Sequence, residues 1–559
     1  GSLMGMVSRR KVLFAAGTIA AAPALGASAL PETPAQVRFE HGIASGDPLP
    51  DAIILWTRIS GLERAADITW QVSKDDSFAA IIAEGKVFTD ASRDYTVKVD
   101  VRGLMPDTGY HYRFLAGPIA SPVGRTRTLP LQTDKVVLAV VSCSLHPNGY
   151  FNAYRAIADL DRVDAVVHLG DYIYEYGAGL TDYGMGNGRI LMRIPEPAHE
   201  IVSLADYRTR HAQYKRDEDL QAAHARAPWI CVFDDHEICN NPWRDGAENH
   251  QPDEGDWSVR KAAALKAYSE WMPIRDPAPG KLREAIYRSF RFGKLAELVM
   301  LESRLLARTK QLDYAEDLTY ADGKPDKTTF RTKLNADSRE LLGAEQRKWL
   351  QDTLSASVRD GVTWQVLGNQ IVMARVNGPD IVKRLGPDAI NALRAVSPEG
   401  VRKQLDTFTA LFDSADPLPF NLDAWDGYPA ERERLYTMLK TAQARTVVVS
   451  GDSHCAWANQ LRDGVGQPVA VELGVTAVTS PTRWLDSWLP NLQLATTLAD
   501  QNEEILAADD AYNGFIRLTL TPEEMTGEWM SVSTITSHQF TCFPQRKFSA
   551  KAADMVLKG

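Results

Sequence analysis

Residues 165–174 read Ala165-Val166-Val167-His168-Leu169-Gly170-Asp171-Tyr172-Ile173-Tyr174, an apolar run that ends in a glycine and an aspartate. A short apolar run bounded by turn residues is typical of a strand buried inside a sheet. The carboxylate and the phenol that follow the run are polar groups, and burial of the strand does not explain them. The stretch therefore predicts a buried strand that carries reactive groups at its carboxyl end.

Four further apolar runs end in the same way, each followed by side chains that can bind a metal ion. Open α/β sheets place their sites outside the carboxyl ends of the strands, so five such ends predict one shared metal site. Each motif alone has a simpler explanation, because Gly-Asp is a common turn and a lone cysteine is often a small core residue. The four runs are 136–141 before Cys143, 229–233 before Asp234-Asp235-His236-Glu237, 364–367 before Asn369, and 446–450 before Asp452 and His454.

The chain divides into three parts by pattern. Residues 36–132 contain short strands separated by turn signals, which predicts a small β-sandwich of fibronectin or immunoglobulin type, without chemistry of its own. Residues 133–559 alternate apolar runs with helical stretches, which predicts one α/β catalytic domain with insertions. The strands predicted in the β-rich part are 53–58, 68–72, 95–99 and 110–114.

Residues 1–35 are predicted to be a tag remnant and an export signal. Arg9-Arg10 precede an apolar, alanine-rich stretch, and Ala27-Ser28-Ala29 forms a cleavage site of the A-x-A type. These features predict export by the twin-arginine machinery and a periplasmic or secreted mature protein that starts near Leu30. The alternative is an N-terminal membrane anchor, for which the apolar stretch is short and is broken by Pro23.

Composition excludes several classes of protein. With 44% hydrophobic and 24% charged residues, the 559-residue chain can bury a core, which excludes wholesale disorder. Its formal net charge of -10 argues against specific nucleic-acid binding. Five scattered cysteines are too few for a disulfide framework, so any special role of a cysteine is local.

The order of the motifs resembles the PhoD-type alkaline phosphatases, which are related to the purple acid phosphatases. The matching pattern is Cys, Gly-Asp-x-x-Tyr, Asp-His-Glu, Gly-Asn and Gly-Asp-x-His, and residues 41–48, 56–58 and 206–208 extend it over essentially the whole mature chain. The resemblance implies an α/β sandwich of the metallophosphatase type behind an N-terminal fibronectin- or immunoglobulin-like domain. It also implies a phosphoric ester hydrolase.

Two metal sites that share the Asp171 carboxylate follow from this resemblance. A thiolate and a phenolate suit Fe(III), and a set of oxygen donors alone suits a hard cation such as Ca(II). The resemblance implies the same two ions. One site would hold Cys143, Asp171, Tyr174 and His454, and the other would hold Asp171, Asp235, Asn369 and Asp452.

Two bridged cations lower the pKa of a bound water and clamp the phosphate oxygens, which makes Asp171 and Asp235 part of the catalytic set. His236 directly follows Asp235, and we predict that it donates a hydrogen bond to the phosphate or protonates the leaving oxygen. Its alternative role is to orient a ligand carboxylate.

Three further residues are weaker candidates for substrate binding, and each has a structural alternative. Arg155 could reach a phosphate or form a surface salt bridge. Asn240 and Asn241 could bind a phosphate or cap a loop.

The leading hypothesis is an exported hydrolase of small-molecule phosphate mono- and diesters, including phospholipid or nucleotide-derived diesters. A phospholipase D that acts on phospholipid headgroups is the alternative enzyme. A calcium-binding adhesion protein is the non-enzymatic alternative, and it would not need the thiolate of Cys143 or the phenolate of Tyr174.

Overall fold

The computed structural model describes residues 36–483, 489 and 491–559. The predicted export signal, residues 1–35, lies outside the described residues. Among the helices of the described residues, none combines the length and the apolar character that crossing a membrane requires.

Eight strands occupy the β-rich region: β1 (Ile43–Gly46), β2 (Ala52–Arg58), β3 (Ala66–Ser73), β4 (Ile81–Thr89), β5 (Thr96–Arg102), β6 (Gly109–Ala116), β7 (Ile119–Ala120) and β8 (Gly124–Arg127). β3, β4, β6, β7 and β8 form one antiparallel sheet, and β1, β2 and β5 are joined in another. Side chains from both sheets, among them Leu55, Val72 and Tyr112, share a separate apolar core. The predicted β-sandwich is therefore confirmed.

One sheet of this sandwich continues beyond the β-rich region. β1 pairs in parallel with a strand of the catalytic region at Gly46 and Trp229. A Cβ atom on residue 46 would lie 2.1 Å from the carbonyl oxygen of Pro273, so only glycine lets the strand pass there. The sequence predicts a self-contained sandwich, whereas β1, β2 and β5 belong to a nine-stranded sheet that also holds catalytic strands. The boundary near residue 132 stays a prediction.

The first part of the catalytic region contains β9 (Val136–Val141), α1 (Asn152–Ala158), β10 (Ala165–His168), α2 (Met185–Ile190), α3 (Leu204–Lys215), α4 (Glu218–Arg226), β11 (Trp229–Cys231), β12 (Pro242–Trp243), β13 (Gly246–Ala247) and α5 (Trp257–Trp271). β9, β10 and β11 are parallel neighbours in the nine-stranded sheet. Three of the five predicted strands thus end at the same edge of this sheet.

The remainder contains β14 (Arg288–Phe292), β15 (Ala296–Met300), α6 (Tyr314–Asp317), β16 (Tyr320–Ala321), β17 (Lys324–Pro325), α7 (Lys327–Leu334), α8 (Ala344–Arg359), β18 (Trp364–Asn369), α9 (Ile381–Leu385), α10 (Pro387–Val396), α11 (Glu399–Leu411), α12 (Pro429–Ala442), β19 (Thr446–Ser450), β20 (Ala456–Arg462), β21 (Pro468–Gly474), α13 (Leu494–Gln501), β22 (Ile505–Asp509), β23 (Asn513–Leu520), β24 (Glu524–Val532) and β25 (Cys542–Lys551). β15, β18, β19 and β21 form the parallel centre of a seven-stranded sheet, and β23 to β25 complete the nine-stranded one.

The two large sheets share one apolar core. In β19, Val447 and Val449 belong to the core cluster that also holds Val140 and Val166 of the nine-stranded sheet. Val448, between them, belongs to a second cluster with side chains of α8 and α12. Since successive side chains of a strand point to opposite faces, both faces of β19 are buried, as its continuous apolar run requires. The predicted α/β sandwich is confirmed.

Candidate metal centre

The loops after the predicted strands bring their polar side chains together between the two large sheets. Ligand atoms of Asp171, Asp234, Asp235 and Asp452 lie within 4.8 Å of one another, and so do those of Cys143, Asp171 and His454. Asp171 follows β10 of the nine-stranded sheet, whereas Asp452 follows β19 of the seven-stranded sheet. The cluster therefore forms only when the two sheets pack together.

Four residues of this cluster adopt left-handed backbone conformations, which are uncommon for residues other than glycine. The φ angles are 64° at Cys143, 58° at Asp171, 66° at Asp452 and 57° at His454. Gly170, with φ 111°, precedes Asp171, and a Cβ atom there would lie 2.3 Å from the Cβ of Asp234. Strained backbone of this kind concentrates at functional sites, where the surrounding fold holds it in place.

The predicted thiolate and phenolate donors lie in the half of the cluster nearest Cys143. The Cys143 Sγ lies 3.3 Å from Asp171 Oδ2 and donates to it. The Tyr174 hydroxyl lies 2.6 Å from Ser480 Oγ, and that oxygen lies 3.1 Å from the Cys143 carbonyl oxygen. Charge on Cys143 and on Asp171 adds to burial in raising the pKa of Tyr174, so the three groups share one environment.

The imidazole of His454 is arranged as a neutral ligand. Its Nδ1 lies 3.1 Å from the carbonyl oxygen of Pro481 and 3.3 Å from the Tyr183 hydroxyl. A proton on Nδ1 that is donated to this carbonyl leaves the lone pair on Nε2, which is the arrangement typical of a metal-binding histidine. Burial lowers the pKa of His454 to about 3, which keeps the ring neutral.

Without a cation, Cys143, Asp171 and Asp452 resist ionisation, whereas the pKa of Asp235 lies well below its usual value. Burial, followed by the charge on Asp452, raises the pKa of Cys143 to about 12. Burial raises the pKa of Asp452 to about 6, and burial together with repulsion from Asp235 raises that of Asp171 well above its usual value. A bound cation would reverse these shifts because it stabilises every deprotonated ligand. The donors present thus fit a metal centre.

His236 lies beside this cluster and is held by a residue that the sequence does not single out. Its Nδ1 is 2.6 Å from the carboxylate of Glu175, its Nε2 is 3.6 Å from Asp235 Oδ2, and its ring stacks on that of Tyr174 at 4.4 Å. Glu175 is fully buried and also accepts from the backbone N–H of Asn240. The carboxylate fixes the ring orientation of His236 through the bond to Nδ1.

Two sequence candidates have other contacts in the structure. Arg155 pairs with Asp219 at 2.8 Å on the partly exposed surface of α1, which is the salt-bridge alternative. The amide oxygen of Asn369 accepts hydrogen bonds from the Trp425 indole at 2.9 Å and from a backbone N–H at 3.3 Å. These two bonds use both lone pairs of that oxygen, so a metal bond to Asn369 would have to replace one of them. Metal binding by Asn369 stays a prediction.

Asn240 and Asn241 lie closer to the cluster. The backbone N–H of Asn241 donates to Asp235 Oδ2 at 3.2 Å, and that of Asn240 donates to Glu175. Within the part of the chain that the structure describes, both side-chain amide oxygens are buried and make no hydrogen bond. Their role in substrate binding stays a prediction.

Comparisons with known proteins agree with this geometry. A family model described as PhoD-like phosphatase matches residues 138–529, and one described as its N-terminal domain matches residues 24–130. The chain belongs to the PhoD-like phosphatase family. It is 33% identical over 555 residues to alkaline phosphatase D of Bacillus subtilis (strain 168), covering 94% of this chain and 85% of that protein. A solved structure of PhoD has a TM-score of 0.76 and 30% identity, covering 95% of this chain and 93% of that one.

This PhoD-like phosphatase is therefore a phosphoric ester hydrolase, and the family resemblance inferred from its motifs is confirmed. The non-enzymatic alternative, a calcium-binding adhesion protein, is wrong. The buried cluster of carboxylates, thiol and imidazole lies at the strand ends that the sequence predicts.

Replacement of Glu175 by glutamine should lower kcat about 10- to 100-fold. This is the usual loss of activity when a residue that orients a group of the site is removed. Glutamine keeps the shape of the side chain but removes the negative charge from the group that holds His236 Nδ1. Steady-state kinetics and elemental analysis should show lower turnover at unchanged metal content. Glu248→Gln is the matched control, because exposed Glu248 contacts Asn240 but has no contact with His236 in the described structure. A loss of metal in Glu175→Gln would instead assign Glu175 to the metal centre.

Proposed function

We propose that this PhoD-like phosphatase hydrolyses phosphate mono- and diesters at a centre that holds Fe(III) and Ca(II). The observation that carries the proposal is the division of the cluster by donor type. Ligand atoms of Cys143 and His454 form one compact group with Asp171, and the charges of Cys143 and Asp171 act on the phenol of Tyr174. Carboxylates form the other group with Asp171, and Asp235 and Asp452 are among them. Asp171 belongs to both groups, so it would help to hold both cations.

The ligand chemistry supports iron on the thiol side. Thiolate and phenolate are anionic donors that favour a cation of high charge. Burial holds Cys143 and Tyr174 protonated in the absence of metal, so their use as ligands requires a cation that is strong enough to displace both protons.

Carboxylate oxygens alone on the other side support a hard cation, with calcium the ion that the donor set favours. Asp452 and Asp235 come from different sheets, so that this half of the centre depends on how the sheets pack. Asn369 would add an amide oxygen if its bond from Trp425 were exchanged for one to the cation.

The protein groups divide the work of ester hydrolysis. When bound, the two cations supply a hydroxide nucleophile near neutral pH and neutralise charge on the phosphate. Asp171 and Asp235 hold those charges in place, and His236, fixed by Glu175, donates a proton from Nε2 to the phosphate or to the leaving oxygen. Asn240 and Asn241 would contact the phosphate from the loop after His236.

Elemental analysis and a visible absorption spectrum of the purified protein test the proposal. We expect iron together with calcium, and a band from charge transfer between tyrosinate and iron that Tyr174→Phe abolishes. Tyr183→Phe is the matched control, since its ring lies 6.1 Å from that of Tyr174 but belongs to no predicted ligand set. A colourless protein that holds only zinc or manganese would contradict the assignment of the ions.

The proposed setting is outside the cytoplasm, in the periplasm or secreted. Its support is the twin-arginine motif at Arg9-Arg10 and the cleavage site that follows. Export of the folded protein by the twin-arginine machinery would allow the metal centre to form before transport. Fractionation of cells that carry Arg9→Lys and Arg10→Lys together should show the protein retained inside. The phospholipase D alternative gains no support from the described residues.

A further inference from the structure

Arg304 is a fully buried arginine inside the acidic cluster, and none of the motifs contains it. It follows β15, at the same edge of the seven-stranded sheet as the ends of β18 and β19. The carboxylate of Glu302 accepts the backbone N–H groups of Arg304 at 2.6 Å, Leu305 at 2.7 Å and Leu306 at 3.0 Å. This tight turn holds the backbone of Arg304 in a fixed position before any ligand binds.

The guanidinium of Arg304 divides the surrounding carboxylates into two groups. Its Nε lies 2.6 Å from Asp234 Oδ1, and one terminal nitrogen lies 2.7 Å from Asp423 Oδ1. The other terminal nitrogen is 3.4 Å from Asp452 and 3.9 Å from Asp235. The two short contacts thus go to the carboxylates outside the predicted ligand sets, and the long ones go to predicted metal ligands.

Asp234 and Asp423 retain the capacity to bind a cation. Among the described residues, their second oxygens, Asp234 Oδ2 and Asp423 Oδ2, are buried and make no hydrogen bond. Asp234 also lies within the group of carboxylates that is compact enough to hold a metal ion. Arg308 also pairs with Asp423, at 2.9 Å, whereas the ion pair of Asp234 is with Arg304. A buried carboxylate without a counter-charge is unstable, so in the absence of Arg304 the carboxylate of Asp234, beside that of Asp423, would attract another cation.

We propose that Arg304 is a positioning residue that acts as a built-in cation. It keeps Asp234 and Asp423 out of metal coordination and so limits how many divalent cations the oxygen-rich half of the centre takes. The proposal rests on the metal centre of the proposed function, but it concerns the number of ions and not the reaction. A guanidinium suits this role because it is always charged and bonds several carboxylates in a fixed geometry.

The test replaces Arg304 with methionine, which has no oxygen donor and no charge. The full-length protein is equilibrated with calcium of known free concentration, and bound calcium and iron are counted by mass spectrometry. We expect Arg304→Met to bind an additional calcium ion per chain compared with the unaltered protein, with iron unchanged. Its melting temperature should also become more dependent on calcium, because a bound ion then replaces the lost charge.

Two control variants separate this effect from general damage. Arg304→Lys keeps the charge and should keep the calcium count of the unaltered protein. Arg432→Met removes another buried arginine, whose partner Asp426 at 2.7 Å lies outside the cluster, and should also keep that count. A folded Arg304→Met that binds no more calcium than the unaltered protein overturns the proposal.

A second variant keeps the proposal testable if Arg304→Met does not fold. Asp423→Asn preserves the shape of the side chain. According to the proposal, Asp423 does not coordinate the metal, because it is bound to Arg304. The calcium count of this variant should therefore equal that of the unaltered protein, and a lower count overturns the proposal. Failure of the proposed function would appear separately, as absence of iron and calcium, or of ester hydrolysis, in the unaltered protein.

Discussion

Asp171→Asn should strongly reduce hydrolysis of both p-nitrophenyl phosphate and bis-p-nitrophenyl phosphate. Asp171 is the one carboxylate that belongs to both halves of the cluster, so its loss weakens both cation sites at once. If the cations supply about 5 kcal/mol of transition-state stabilisation, kcat/KM should fall on the order of 10³- to 10⁴-fold. Kinetic measurements and elemental analysis of the same sample should show that activity and metal content fall together.

Thermal unfolding distinguishes this effect from simple misfolding. Burial and repulsion from Asp235 raise the pKa of Asp171, so its charge is unfavourable when no cation is present. Cation-free Asp171→Asn should therefore melt no lower than the cation-free unaltered protein, whereas addition of iron and calcium should stabilise only the latter. Asp426→Asn, a change in a buried aspartate outside the cluster, should keep both metal and activity. An active Asp171→Asn would contradict the proposed bridging role.

Much of the candidate centre follows from the sequence because its predicted ligands come directly after apolar runs. Cys143, Asp171, Asp235, Asp452 and His454 each stand within four residues of the end of such a run, and strand ends of one sheet meet at one edge. What the runs do not reveal is which strands share a sheet. β9, β10 and β11 lie in one sheet and β18 and β19 in another, so the centre depends on packing between sheets.

The residues that the sequence does not single out act through partners far along the chain. Glu175 lies next to a predicted ligand, yet its role depends on His236, which is 61 positions away. The sequence does contain a signal for Arg304, because the apolar run 298–301 is followed by Glu302-Ser303-Arg304, as the other apolar runs are followed by polar groups. A buried arginine among carboxylates is rare, so a single charged residue in the sequence is ordinarily assigned to the surface.

His236→Ala should lower kcat between about 10² and 10⁴-fold, the range in which a general acid contributes. Iron and calcium content should stay unchanged, because His236 belongs to neither predicted ligand set. The leaving group then shows which oxygen receives the proton. If His236 protonates the leaving oxygen, the loss should be small for a p-nitrophenyl ester, whose leaving group needs no proton, and large for an alkyl ester. If it donates to the phosphate instead, both esters should lose activity equally.

A double variant tests whether Glu175 acts through His236. Since the Glu175 carboxylate lies 2.6 Å from His236 Nδ1, its effect on turnover should disappear when the imidazole is absent. Glu175→Gln combined with His236→Ala should therefore be no slower than His236→Ala alone. Additive losses would show that Glu175 acts through its other contacts, such as the backbone N–H of Asn240. Loss of metal in His236→Ala alone would instead support the alternative role, in which the ring orients the carboxylate of Asp235.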